Sequence, residues 1–178
     1  VKMRIFITPF LTLIAMSIFL SGCIVQSSQL NGLLDLIKEP SMDLSNNSWI
    51  VRYSDYESIV YAISTSEGIL FANNFGDQVL FDGWTLLKAQ GMGRRKININ
   101  ISDKKNIRTF ERGDRAISKH RCNQWEQQKN LGAVRYTQSC SDKKRYKNSI
   151  LVKDNGEISM IRQIVDERYT ALTLTKLK

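Results

Sequence analysis

Turn-forming residues interrupt this chain so often after residue 49 that only short strands fit between them. Asp82-Gly83 and Asn155-Gly156 are typical of tight hairpins, because both central positions tolerate positive φ. Ser66-Glu67-Gly68 marks a third turn between two runs rich in β-branched and aromatic residues. We find no long helical pattern in this region. The turns therefore predict an all-β domain over residues 49–178, built from consecutive antiparallel hairpins.

The clearest single strand is expected at residues 96–102. Ile97, Ile99 and Ile101 alternate there with asparagines, which predicts one buried face and one wet face. The other expected strands are 58–64 with 69–72, 79–81 with 84–87, 150–153 with 157–165, and a closing strand at 169–177. The predicted fold class is a mainly antiparallel meander, either a sandwich or a partly closed barrel.

The first residues have the order of parts of a bacterial secretion signal. Lys2 and Arg4 supply a basic start, and residues 5–20 are mostly apolar. The stretch ends in Leu20-Ser21-Gly22-Cys23, which resembles the lipobox of bacterial lipoproteins. This resemblance implies a signal peptide over residues 1–22 and lipidation of Cys23 with more than one acyl chain, enough for stable anchoring. The alternative is an uncleaved signal anchor, because the apolar run approaches the ~17 to 20 residues that span a bilayer.

Residues 23–48 are expected to form a lipidated tether with one short helix. Its apolar residues recur at helical spacing before Pro40 stops the pattern: Leu30, Leu33, Leu34 and Ile37. This helix can pack on its own domain or lie on the membrane. Ile24 stands where inner-membrane lipoproteins usually carry Asp, so the expected location is the outer membrane, with the domain facing the periplasm.

Two cysteines remain after Cys23 is assigned to lipidation. An even pair in an oxidising compartment predicts a disulfide between Cys122 and Cys140. Placing them opposite each other in a hairpin centres the connection on Leu131 and makes Asn130-Leu131-Gly132 the loop. The competing interpretation is a Cys/His dyad or a metal site with His120, the chain's single histidine, but no further ligands cluster nearby.

Positive charge is concentrated in the middle of the chain. Residues 88–147 carry seventeen Lys and Arg against five Asp and Glu, whereas residues 24–87 carry two against eight. Such a field attracts acidic polysaccharide, lipopolysaccharide phosphates or anionic lipid headgroups, and the exported location excludes nucleic acid. Arg94, Arg95 and Lys96 form the densest cluster on an ordered stretch, and we take them as the candidate anion or glycan site. The alternative is that these cations only solvate outward faces and loop tips.

Catalytic chemistry has little support in the sequence. No Ser/His/Asp set surrounds a nucleophile motif, and Asp55 with Glu57 is the closest carboxylate pair by strand spacing. We expect those two carboxylates to lie on a wet face. The glycines at residues 91–93 lack the spacing and the Lys-Ser/Thr ending of a phosphate loop. We therefore expect that the chain is not an enzyme and that it binds no cofactor and no metal.

Two stretches carry a family resemblance. Residues 79–93, Val-Leu-Phe-Asp-Gly-Trp-Thr-Leu-Leu-Lys-Ala-Gln-Gly-Met-Gly, resemble the YjbF/GfcB family of capsule and exopolysaccharide lipoproteins. Gly156-Glu157, followed by Ile161-Arg162-Gln163 and the strand to Lys178, resembles the family's ending. The resemblance implies a periplasmic antiparallel β domain on the outer membrane that serves the making or export of surface polysaccharide. It implies no catalytic residues.

The leading hypothesis is a non-enzymatic lipoprotein, accessory to capsule or exopolysaccharide secretion, which meets an acidic glycan or a partner protein through the basic stretch near Arg94, Arg95 and Lys96. The first rival is a structural envelope lipoprotein whose charge merely touches membrane or cell-wall anions. The second rival is a small hydrolase with an unrecognised site.

Overall fold

The computed structural model describes residues 47–94, 96–130 and 132–177 of the chain. The strands in these ranges are β1 (Ser48–Tyr53), β2 (Tyr56–Thr65), β3 (Gly68–Ala72), β4 (Gln78–Phe81), β5 (Leu86–Gly91), β6 (Ile97–Lys104), β7 (Ile107–Arg112), β8 (Arg115–Cys122), β9 (Glu126–Asn130), β10 (Ala133–Ser141), β11 (Arg145–Lys153), β12 (Ile158–Ile164) and β13 (Ala171–Lys176). No helix within the described ranges is long and apolar enough to cross a membrane.

Twelve of these strands close into an antiparallel barrel. Each strand from β1 to β7 pairs with the strand that follows it, and so does each strand from β10 to β12. The pairings β8–β10 and β13–β1 complete the ring. Strand β9 pairs with the same edge of β10 as β8 does, because β11 occupies the other edge. The all-β antiparallel class is confirmed, but the expected sandwich or partly closed barrel is wrong, because β1 pairs with β13 and closes the ring. The predicted signal peptide, Cys23 and the tether helix lie outside the described residues.

Alternate residues of the strands fill the barrel with apolar side chains. Ile99 and Ile101 of β6 are buried while Asn98 and Asn100 are exposed, which confirms the predicted alternation. The same alternation places Val79, Phe81, Phe110, Leu172 and Leu174 in one core. The core is therefore shared by strands from the whole circumference.

The predicted hairpins exist, but two of their connections are longer than expected. Strands β2 and β3 pair as predicted, with Thr65 opposite Gly68. The Asp82-Gly83 connection spans residues 82–85, since Phe81 pairs with Leu86 after a register shift. The reason is that Asp82 Oδ1 accepts hydrogen bonds from the backbone N–H of residues 84 and 85, which lengthens the turn. The Asn155-Gly156 connection likewise spans residues 154–157.

A disulfide joins Cys122 of β8 to Cys140 of β10, as predicted. The two cysteines are direct partners in the sheet, and only one further residue pair, Arg121 with Ser141, links these strands. The predicted three-residue loop is wrong, because Asn130 pairs with Ala133 and leaves residues 131–132 between them. The segment 123–125 has one residue more than the stretch of β10 opposite it, residues 138–139. This extra residue accounts for the shift in register between the β8–β10 pairing and the β9–β10 pairing. The disulfide thus joins the two strands of the ring that share the fewest residue pairs.

Candidate functional site

The outer face of β8, β10 and β11 carries a shallow groove of about 520 Å³. We call it the basic groove and define it by its outward-facing lining residues: Arg121, Asn123, Ser139, Ser141, Arg145 and Lys147. Three of the six are cationic, and all three cations are exposed.

Sheet register sets the side chains of the basic groove in two parallel rows. Ser141 is the direct partner of both Arg121 and Arg145, so these three residues form one row across three strands. Ser139 pairs with Lys147, and its carbonyl accepts the N–H of Asn123 at 2.8 Å, which gives the second row. Because neighbouring strands are ~4.8 Å apart, the backbone positions of the two arginines are separated by about 10 Å. The hydroxyl of Ser141 stands between them.

No carboxylate within the described part of the chain forms an ion pair with the three cations of the basic groove. The nearest acid in sequence is Asp142, in the β10–β11 turn. Its Oδ2 lies 3.9 Å from His120 Nε2, on the interior side of the sheet. Arg121, Arg145 and Lys147 therefore present uncompensated charge to an anion from solvent.

A rigid layer lies directly beneath the basic groove. The buried disulfide sits under its centre, and Asn148 Nδ2 donates to Gln138 Oε1 at 3.1 Å. Burial raises the pKa of Tyr146 to about 12, and its hydroxyl lies 2.8 Å from His120 Nδ1. Packed side chains on the inner face of the sheet hold the strands in register, so the backbone positions that carry the outward cations keep a constant spacing.

The predicted cluster lies elsewhere, in the turn between β5 and β6. Arg94 and Lys96 are exposed there, and Arg95 lies outside the described residues. Asp77 Oδ1 accepts the N–H of Met92 at 2.8 Å and anchors the start of this turn. Arg94 and Lys96 line a larger cleft of about 680 Å³ at one end of the barrel. We call it the end cleft.

Unlike the basic groove, the end cleft carries charge of both signs. It adds Arg112 and Arg168 to the cations and Asp55, Asp166 and Glu167 to the anions. Arg112 Nη2 pairs with Glu167 Oε1 at 3.3 Å, and Tyr53 donates to Asp166 Oδ2 at 2.7 Å. Burial and this hydrogen bond raise the pKa of Tyr53 to about 12. The near balance of charge makes the end cleft the weaker site for a polyanion.

Sequence reasoning missed the basic groove, although its signal was present. The polar residues of Ser139-Cys-Ser141 and Arg145-Tyr-Lys147 recur at a spacing of two, which places each pair on one face of a strand. Pairing Cys122 with Cys140 then directs their neighbours Arg121 and Ser141 to the opposite face. The density of charge along the chain favoured Arg94 to Lys96 instead.

The groups that the sequence offered for catalysis or metal binding are His120 with Cys122, and Asp55 with Glu57. Within the described residues, no group of three or more His, Cys, Asp or Glu side chains could hold a metal ion. His120 is buried against Phe110 and Tyr169, with ring centroids 4.7 and 5.5 Å away. Cys122 is held in the disulfide, so a Cys/His dyad with a free Cys122 thiol is ruled out in this structure. Asp55 and Glu57 are exposed, and Glu57 pairs with Arg52.

The chain matches no protein-family model, no curated protein and no solved structure. The resemblance to the YjbF/GfcB family therefore stays a prediction from the residues that carry it.

Proposed function

We propose that this chain is a non-enzymatic lipoprotein of the cell envelope that binds an acidic polysaccharide and serves the secretion or assembly of capsule or exopolysaccharide. In this proposal, acyl chains on Cys23 hold it on the outer membrane, facing the periplasm. The basic groove is the surface that meets the glycan or the export machinery carrying it. No catalytic residue and no cofactor take part.

The observation that carries this proposal is the row Arg121, Ser141 and Arg145, with Lys147 beside it. A carboxylated polysaccharide presents anions at regular intervals, separated by hydroxyl groups. Guanidinium groups on either side of a serine hydroxyl match that order, since arginine donates two parallel hydrogen bonds to a carboxylate. The groove is also open and shallow, which suits a polymer better than a small enclosed ligand.

Exposed ion pairs contribute about 0.2–1 kcal/mol each, so three of them contribute about 0.6–3 kcal/mol. We therefore expect Arg121→Gln/Arg145→Gln/Lys147→Gln to weaken the Kd for a soluble polyuronate about 3- to 150-fold at low salt. The difference should vanish near 1 M salt, where the screening length falls to ~3 Å. Isothermal titration of the purified full chain measures both effects, with neutral dextran of the same length as the reference polymer.

The end cleft offers a matched control of equal charge. Arg94→Gln/Lys96→Gln/Arg168→Gln removes three exposed cations and should leave the Kd for the polyuronate within about twofold of wild type. Equal weakening by both triple variants would favour the structural rival, in which only net charge matters. Failure of the wild-type chain to distinguish polyuronate from dextran would refute the proposed function.

Anchoring is tested separately from binding. Metabolic labelling with a radioactive fatty acid should mark the wild-type chain and leave Cys23→Ala unlabelled. A labelled Cys23→Ala variant, or an unlabelled wild type, contradicts the lipoprotein assignment.

A further inference from the structure

The end cleft is polarised across the mouth of the barrel. Strands β12, β13, β1 and β2 are neighbours in the ring, and β3 and β4 separate them on one side from β5, β6 and β7. The loops of the first group form what we call the acidic rim, with three carboxylates and one cation: Asp55, Asp166, Glu167 and Arg168. The β5–β6 turn and the end of β7 form the basic rim, with three described cations: Arg94, Lys96 and Arg112. Charge of opposite sign therefore faces across the cleft.

Each rim keeps charge that a ligand can meet. Arg112 of the basic rim pairs with Glu167 of the acidic rim at 3.3 Å, so these two groups satisfy each other. Asp55, Arg94 and Lys96 are exposed, and within the described part of the chain no ion pair engages them. An ammonium group can thus meet Asp55 while a carboxylate meets the two cations opposite.

Apolar side chains line the end cleft between the rims. Met92 and Ile99 are buried there, and Ile97 is half-buried. The volume of about 680 Å³ falls within the ~300–1,000 Å³ of small-ligand sites, which also combine apolar lining with a few polar groups. The end cleft therefore suits a small ligand with apolar groups between two charged ends.

Two tyrosines fix the rims to one hairpin. Tyr53 and Tyr56 are direct partners beside the β1–β2 turn. Tyr53 donates to the buried Asp166 Oδ2 at 2.7 Å, which ties the β12–β13 loop to the hairpin. Tyr56 donates to the buried Asp77 Oδ2 at 2.7 Å, and Asp77 Oδ1 accepts the N–H of Met92, which ties the β5–β6 turn to it. Because the rims are already ordered, binding costs less conformational entropy.

Two residues of the end cleft also have a left-handed backbone without being glycine. Ser54 has a φ of 55° and Met92 a φ of 47°. Such conformations are costly, persist where surrounding contacts impose them, and cluster at ligand sites. This clustering agrees with a binding role for the end cleft.

We propose that the end cleft binds a short zwitterionic peptide, with its ammonium group at Asp55 and its carboxylate at Arg94 and Lys96. A ligand with charge of one sign would be repelled by one rim, whereas a peptide with both ends free complements both. Small apolar side chains would contact Ile97 and Met92. This site is separate from the basic groove, so the proposal goes beyond polysaccharide binding and does not depend on it.

Isothermal titration of the full chain with alanine peptides of three to five residues tests the end cleft. At about pH 6.5 the α-amino group is charged, since its ordinary pKa is about 7.7–8.0. Acetylating the amino end should weaken the Kd about 1.5- to 5-fold, the range of one exposed ion pair. Amidating the carboxyl end should weaken it about 2- to 30-fold, the range of two such pairs.

Variants assign each end of the peptide to its rim. Asp55→Asn should weaken binding of the free peptide about 1.5- to 5-fold and leave the acetylated peptide unaffected. Arg94→Gln/Lys96→Gln should weaken the free peptide about 2- to 30-fold and leave the amidated peptide unaffected. Lys119→Gln/Arg162→Gln is the matched control, because both residues are exposed and lie outside the end cleft, and it should bind like wild type.

A peptide blocked at both ends that binds as tightly as the free one would overturn the proposal, and so would the absence of any peptide binding. Equal weakening by Lys119→Gln/Arg162→Gln and Arg94→Gln/Lys96→Gln would overturn the assignment to the end cleft. Polyuronate binding is measured on the same variants. Its loss or persistence bears on the basic groove alone, so either proposal can fail without the other.

Discussion

Replacing both disulfide cysteines, Cys122→Ala/Cys140→Ala, should destabilise the barrel by about 3 kcal/mol at 25 °C. The bridge closes a loop with a sequence separation of 18 residues. In the chain-entropy model, a loop of this length restricts the denatured chain by about 3 kcal/mol. The loss falls on the junction of β8 with β10, which has only two residue pairs to hold it.

Urea unfolding followed by tryptophan fluorescence and by far-UV circular dichroism measures the loss. For a domain with an m-value of about 1–3 kcal/mol/M, 3 kcal/mol moves the midpoint down by about 1–3 M. A domain of this size is typically stable by about 5–15 kcal/mol, so the double variant should still fold at 25 °C. Wild type unfolded in reducing buffer should give the same midpoint as the double variant.

Two results would refute this reasoning. A loss below about 1 kcal/mol would mean that other contacts already hold the junction of β8 with β10. A change in m-value together with a lost near-UV spectrum would mean that the barrel opens without the bridge, so the effect would lie in the native state.

Three further predictions concern the interior. Desolvation lowers the pKa of His120 in the folded protein below its ordinary 6.5. The stability that neutral His120 contributes is therefore present above pH 6.5 and is lost as the pH falls toward the pKa of the folded state. His120→Gln should flatten the decline of the urea midpoint between pH 7.5 and 5. Arg108→Met should lower Tm, because it leaves Asp103 without the cation 3.8 Å away and Gln163 Oε1 without one of its donors. Arg108→Met/Asp103→Asn, which removes both charges, should lose less, and an equal or larger loss in the double variant would contradict this. Gly68→Ala should lower the free energy of unfolding in urea by about 2–4 kcal/mol, since the new Cβ would lie 2.2 Å from Phe81 O and the backbone φ is +133°. Gly156→Ala should lower it by only about 1–2 kcal/mol, because no atom lies within 4 Å of the new Cβ.

Local pattern was enough to predict most of the fold. Alternation along β6 and the turn residues between β2 and β3 gave the strands and their pairing, because side chains in a sheet repeat every two residues. The cysteine pair gave the register of β8 with β10. Closure of the ring did not follow, since the pairing of β1 with β13 joins the two ends of the domain and no local signal specifies it.

The site was predicted less well, and the reason is geometric. Arg94 and Lys96 are close in sequence, but they reach a cleft that Asp55, Asp166 and Glu167 also line. The cations of the basic groove come from different strands and meet only through the register. Charge density along the chain therefore identified the basic middle of the protein, while the face that concentrates the charge depended on tertiary pairing.

Carbodiimide coupling of an acidic oligosaccharide to the full chain tests the central claim most directly, because it joins a glycan carboxylate to whichever lysine amine lies against it. Peptide mass spectrometry then locates the joined residue. Coupling concentrated on Lys147, and abolished by competing polyuronate but not by dextran, is the result predicted here. Coupling concentrated on Lys96, or spread evenly over the exposed lysines, would contradict binding in the basic groove.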